Sequence, residues 1–199
     1  MAVSAGRPER GMDPRVERSR MIIRQAAFEE LAEVGYGAFT IEGVAARARV
    51  GKSTIYRHWR DKLDLIADAF ETAHQHAVPD ITTGTAAERL ARLIRHVAEV
   101  AGDSTFSRCI PALIEGAQHD SRLRGFNHHY SATRRQSLID LIGEGVSSGE
   151  FSAIVDPELA TQAILGTVFY SRLMTPEPFD PARADELVAA ILGRRQEAK

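Results

Sequence analysis

Residues 40–65 read TIEGVAARARVGKSTIYRHWRDKLDL, and this stretch decides the fold. Thr40 is placed as an N-cap with Glu42 in the turn that follows, and Ile41, Val44, Ala45 and Ala48 recur at helical spacing, so a short amphipathic helix opens here. Val50-Gly51 forms a turn. A second, very short helix follows from about Lys52 to His58, with Ile55 and Trp59 spaced to anchor its buried side and a polar, basic face opposite. A helix that enters the major groove needs small or polar residues outside, so that backbone and base edges approach, and donors at its rim to hold phosphates. Ser53 and Thr54 are small; Lys52, Arg57, His58 and Lys62 are donors; the Tyr56 ring can lie against a sugar or a thymine methyl while its hydroxyl reaches a phosphate. The stretch reads as a helix-turn-helix for duplex DNA, with Lys52, Ser53, Thr54, Tyr56, Arg57, His58 and Lys62 as the contacting set and Arg49 among the nearby cations.

The charge pattern confines that contact to one face. The 199 residues carry a net charge of only -2, which argues against a chain that coats nucleic acid over its whole surface. Residues 1–70 hold 12 Lys and Arg against 10 Asp and Glu, and the remainder 13 against 17. Within Arg47–Lys62 there are six basic residues, with Asp61 the only acid. An ordinary solvated basic helix would have the same composition, and so would a helical module that docks an acidic protein. Discrimination between an operator and a scrambled duplex separates these readings, whereas salt dependence does not.

Working outward, apolar residues from Val16 to Val34 recur every three to four positions, giving one amphipathic helix over Arg15–Glu33 that Gly35 and Gly37 stop. Tyr36 and Phe39 are expected to fold back onto it, because aromatic rings need burial. Asp61 is placed to cap a helix that runs from Lys62 through Phe70 and Ala73 into His74–His76, with Pro79 beyond. The boundary between domains is expected between Ala77 and Thr85. Further helices are expected at Ala86–Ala101, Thr105–His119 with an interruption or bend at Pro111, Ser121–Ser147, Pro157–Met174 and Ala182–Arg195. Strand-like alternation is missing, so the fold class is all-α: a flexible arm at residues 1–14, a three-helix head at 15–78 and a larger helical domain at 85–195. The last two helices carry more apolar surface than a terminal pair needs. A homodimer burying Leu159, Ala163, Gly166, Thr167, Leu187, Val188 and Ile191 as a four-helix bundle is the economical explanation; completion of the monomer's own core is the other.

Other chemistries find little support. GKST at Gly51–Thr54 would need a glycine at position 46 to form a phosphate-binding loop, and Ala46 stands there on a helix rather than after a strand. His74 and His76 cannot share a helix face, His128 and His129 are adjacent, and Cys109 is the only cysteine, so neither a metal site nor a disulfide is expected. A Ser/His/Asp order and a nucleophile elbow are both missing, so we expect no catalysis and no cofactor. With no apolar run of membrane-spanning length and no signal-peptide pattern at the N-terminus, we expect a cytoplasmic protein that does not engage membranes.

Gly35–Leu65 resembles the DNA-binding region of the TetR family of bacterial transcriptional regulators. The Gly pair, Thr40, the Val-Ala-Ala of the first motif helix, the Thr-Ile-Tyr of the second, and Lys62 followed by Leu65 stand where that family's motif has them. Gly51 departs from a frequent capping Ser, at a cost of about 0.5 kcal/mol or less, and Trp59 from the usual Phe. The resemblance implies a homodimer whose subunits each read half of an inverted repeat, usually as a repressor. It implies phosphate contacts at Thr40 and Lys62 and places Gly51–His58 in the groove. It also implies a small-molecule effector held by the C-terminal domain, with the two terminal helices forming the dimer bundle. With aromatic placement, it points to Phe106, Cys109, Leu113, Phe126, Tyr130 and Phe169 as pocket walls and to His96, Tyr130 and Gln162 as orienting polar groups. The same aromatics could equally be core.

Overall fold

The computed structural model describes residues 14–75, 79–102 and 104–193. The expected arm up to position 13, the start of the expected domain boundary at Ala77, His76, and the last helix beyond Gly193 lie outside the described residues.

α1 (Pro14–Ala38) breaks at Gly35, whose φ of 75° and ψ of 170° cost glycine little and a side-chain-bearing residue much. The break turns Tyr36 and Phe39 inward, where both are buried. Thr40 Oγ1 then accepts from the Gly43 amide at 3.0 Å and starts α2 (Ile41–Ala48). α2 ends at Arg49 in the left-handed region, and α3 (Lys52–Tyr56) begins at Gly51, which offers no side-chain cap. α3 is shorter than its expected reach to His58. The Arg57, His58 and Trp59 amides bond back to Ser53, Ile55 and Ile55, closing a tight turn that brings Trp59 under the motif. Asp61 Oδ1 accepts from the Leu63 and Asp64 amides, both at 3.0 Å, and opens α4 (Lys62–Gln75). Caps of this kind are worth about 1 kcal/mol each.

The body follows as α5 (Ala86–Gly102), α6 (Thr105–His119), α7 (Ser121–Ser147) and α8 (Pro157–Met174). A 3-10 turn at Pro181–Arg183 leads into α9 (Ala184–Leu192), where a single helix from Ala182 was expected. Asp180 caps that turn through the Ala182 amide, so the chain bends before α9 starts. α6 runs through Pro111 without interruption, its N-terminus closed by a reciprocal Ser104–Ser107 capping box.

Two main cores result. The first gathers Ile23, Phe28 and Leu31 of α1 with Val44, Ile55, Trp59, Leu65 and Phe70 of the head, and it continues into Cys109, Leu113, Ala117 and Leu123 of α6 and α7. α1 packs most extensively on α6. Gly116 permits the approach: a Cβ there would stand 2.7 Å from Tyr36 Cδ1 and 2.8 Å from Leu123 Cδ2. The second core is aliphatic, built on Leu90, Ile94, Leu141, Ile142, Ile164, Val188 and Leu192, with Phe151 at its edge. The head is thus seated on the body through shared apolar burial, at about 1.5–3 kcal/mol for each large side chain fully removed from water.

Candidate nucleic-acid interface and effector cavity

The outer surface of α2 and α3 is built by elimination. Ile41, Val44 and Ala45 of α2 and Ile55 of α3 are buried, which leaves Glu42, Lys52, Ser53, Tyr56 and Arg57 outside. Tyr56 is 54% exposed although aromatic, an arrangement that burial alone does not favour. The cations of this region divide by partner. Arg47 is held against α1 by Glu30 at 3.1 Å and Glu33 at 2.7 Å, and Arg60 makes a two-pronged bond to Asp64. Lys62 donates to the Tyr36 carbonyl at 3.1 Å, with its ammonium 4.1 Å from the Tyr36 ring centroid, so it ties α4 to the end of α1 while keeping donors to spare. Lys52 bonds Glu42 at 3.0 Å. Arg49 and Arg57 have no ion-pair partner among the described residues. Thr40 is exposed beside its cap, Thr54 is half-buried, Gly51 is exposed, and His58 lies edge-on to Trp59 at 5.5 Å.

Beneath the motif, Asp68 of α4 accepts from Arg24 at 2.9 Å, from Trp59 Nε1 at 2.8 Å and from Arg20 at 3.4 Å. Burial alone would raise its pKa; the bonds from Arg24 and Trp59 overcome this and hold the carboxyl below its ordinary range. This tie fixes the tail of α3 to α4 and α1, and sequence reading missed it because the partners are far apart in the chain.

In the body, a cavity of about 430 Å³ opens between α5, α6, α7 and α8. His96, Phe106, Tyr130 and Phe169 line it as expected residues, together with Leu93, Val97, Leu138, Leu165, Arg134 and Arg135. Four expected wall residues lie elsewhere. Cys109 is fully buried against α1, its thiol donating to the Phe28 carbonyl at 3.3 Å and pushed up to about 12 by burial. Leu113 lies one turn on, in the same core. Phe126 stacks behind Tyr130, ring centroids 5.6 Å apart, and Gln162 is exposed on the outer side of α8. Among the described residues the cavity wall holds no carboxylate. The Nε atoms of Arg134 and Arg135 are buried without a hydrogen-bond partner among the described residues, and the Arg134 guanidinium stacks 3.4 Å from the Tyr130 centroid. Burial lowers the His96 pKa, with Glu99 opposing. Arg134 was legible in principle, since it follows Tyr130 at helical spacing.

On the far side of α8, Leu159, Ala163, Gly166, Tyr170 and Leu173 form an exposed stripe at alternating spacings of four and three, with Leu159 67% and Met174 71% exposed. Thr167, Leu187 and Ile191 are half-buried beside it. Val188 differs from expectation. With Ala184 and Leu192 it forms the inward face of α9 and belongs to the second core.

A groove-sized helix with a basic surround on a head built from α1 to α4, carried by a helical body with its own cavity, defines a helix-turn-helix DNA-binding regulator. Residues 23–69 match the family described as bacterial regulatory proteins, tetR family, and residues 78–191 match the tetracyclin repressor-like C-terminal domain. The chain belongs to the TetR family of transcriptional regulators. It is 31% identical over 154 residues to the fatty acid metabolism regulator protein of Bacillus subtilis, covering 74% of this chain and 78% of that protein. It is 29% identical over 176 residues to the uncharacterized HTH-type transcriptional regulator YdeS of the same species, covering 88% of each. Among solved structures, FadR from Bacillus subtilis in complex with stearoyl-CoA aligns with a TM-score of 0.73 at 29% identity, over 87% of this chain and 98% of that one. Among the described residues, no cluster of His, Cys, Asp and Glu is arranged to hold a metal ion, and no helix is long and apolar enough to cross a membrane.

Proposed function

We propose that this regulator is a repressor that binds an inverted repeat as a homodimer and leaves it when an anionic, largely apolar small molecule fills the cavity. One observation carries the reading. Phe106 and Tyr130 line the cavity and also pack at an angle against Phe70 of α4, at centroid distances of 4.9 and 5.8 Å, so an occupant presses on the helix that holds the motif through Asp68 and Trp59. The head at residues 15–78 supplies the DNA contacts. Thr40, Arg49, Arg57 and Lys62 meet phosphates, while Gly51, Lys52, Ser53, Thr54, Tyr56 and His58 face the groove. The body at residues 85–195 pairs with a second copy through the exposed stripe of α8 and the flank of α9 at Leu187 and Ile191. The arginine pair and the largely apolar wall, which holds no carboxylate among the described residues, support an anion with a hydrocarbon body, and the relative named as a complex with stearoyl-CoA supports the same class.

The test begins with selection from random duplexes at physiological salt. We expect an inverted repeat, with half-sites roughly 34 Å or a multiple apart. Stearoyl-CoA, stearate and octadecanol are then added to the bound operator. Release by either anion and not by the alcohol supports the reading; equal indifference to all three removes this effector class, and a monomer on the operator removes the dimer.

A further inference from the structure

Glu42 is the only acid between Thr40 and His58. It stands on the outer side of α2 with its side chain 60% exposed, and its Oε1 accepts from Lys52 Nζ at 3.0 Å, so the second residue of α2 is joined to the first of α3. The bond from Lys52 holds the Glu42 carboxyl below its ordinary range, keeping it a pure acceptor. A carboxylate turned toward a polyanion is repelled by phosphates. Inside the major groove it has one productive class of partner, the exocyclic amino groups of cytosine and adenine.

The joined pair offers a donor and an acceptor 3.0 Å apart. A base-pair edge offers the complement, an amino group and a carbonyl oxygen that are themselves hydrogen-bonded about 2.9 Å apart. Both C·G and A·T present this pattern, and the flanking atoms decide between them. Guanine N7 gives the ammonium a second acceptor, where thymine puts a methyl group beside its O4. Adenine N7 would direct a lone pair at the carboxylate, where cytosine has only a C–H.

We infer that Glu42 and Lys52 act as one unit that reads a single C·G pair in each half-site, with Glu42 accepting from cytosine N4 and Lys52 donating to guanine O6 and N7. The inference rests on α3 being the groove helix. It adds an α2 residue to the specificity-determining set and gives Lys52, already on the groove side, a particular base to read. An exposed ion pair contributes little to folding, so both positions can be changed without unfolding the head.

The experiment is duplex selection by the wild type, Glu42→Ala and Lys52→Ala, then titration of the best operator and its single-position variants, with a thermal melt of each protein. For the wild type, replacing one C·G pair in each half-site should cost about tenfold in affinity. Both variants should flatten the preference at that same position to within about twofold, leaving the other positions and the melting temperature as they were. If Glu42→Ala instead tightens binding to every duplex by one factor, or the two variants alter different positions, the paired reading is overturned. A wild type that selects no sequence removes the groove assignment itself, which is a different result from a selective wild type matched by an equally selective Glu42→Ala.

Discussion

The two cores of this molecule differ in chemistry and in what they join. The first is centred on aromatic rings: Phe70 meets Phe28, Phe106, Tyr130 and Phe126 at 5.0, 4.9, 5.8 and 6.3 Å, and these residues come from α1, α4, α6 and α7. The second is mostly branched aliphatic side chains from α5, α7, α8 and α9, and it stays within the body. The packing boundary therefore does not follow the boundary between domains along the chain. α6 and the start of α7 are buried with the head. The cavity lies on the seam, with Phe106 and Tyr130 from one side and Leu93, Leu138 and Leu165 from the other. The first core is the one that joins the cavity wall to α4, through Phe106 and Tyr130 against Phe70, which makes it the route from ligand to DNA in the proposed reading.

The largest way to break this contrast is Phe70→Ala. It removes the hub of the aromatic cluster and should cost about 3–5 kcal/mol, read as the midpoint of chemical denaturation. The surviving folded protein should have lost effector-driven release. Next is Asp68→Ala, which orphans Trp59 Nε1, leaves Arg24 with Glu17 alone and should cost about 2 kcal/mol. The wild type should show the same dependence in acid. Because the folded pKa of Asp68 is depressed, its contribution is present above the ordinary carboxylate pKa and is lost as pH falls through the folded value. A wild-type stability that Asp68→Ala matches at every pH would refute this. Gly116→Ala comes third. Its methyl meets Tyr36 and Leu123 where α6 crosses α1, an overpacking cost of roughly 1–2 kcal/mol, and the head should loosen on the body before either core melts, seen as faster amide exchange in α1. Leu165→Trp should change stability least, by roughly 1 kcal/mol at the low end of overpacking, because its added bulk enters the open cavity rather than a packed core. Operator affinity should persist and ligand-induced release should vanish; retained release would detach the cavity from regulation.

Much of the fold was legible because its signals are local. Thr40 and Asp61 announce their helices through side chains that cap amides two or three residues on, Gly35 marks a break that only a left-handed residue makes, and the limits of α6, α7 and α8 follow from apolar spacing. The site divided along the same line. The outward face of α3 could be read from α3 alone, since one buried residue, Ile55, fixes which side faces out. The cavity could not. Phe106 and Cys109 are three apart on one helix, yet one faces the cavity and the other faces α1, because α6 is covered on two sides and periodicity reports only that a residue is covered. Val188 was misassigned for the same reason. The Lys52–Glu42 and Trp59–Asp68 bonds join residues across turns, where spacing carries no signal at all.

Arg49 is the one described residue other than glycine with a positive φ, 56°, and it sits between the two motif helices. A side chain in that conformation costs about 1 kcal/mol relative to glycine. The position is thus a toll on folding that glycine would lift, and Arg49→Gly should raise the melting temperature while weakening binding to every duplex alike. Selection for thermal robustness and selection for DNA retention would then pull this single codon in opposite directions.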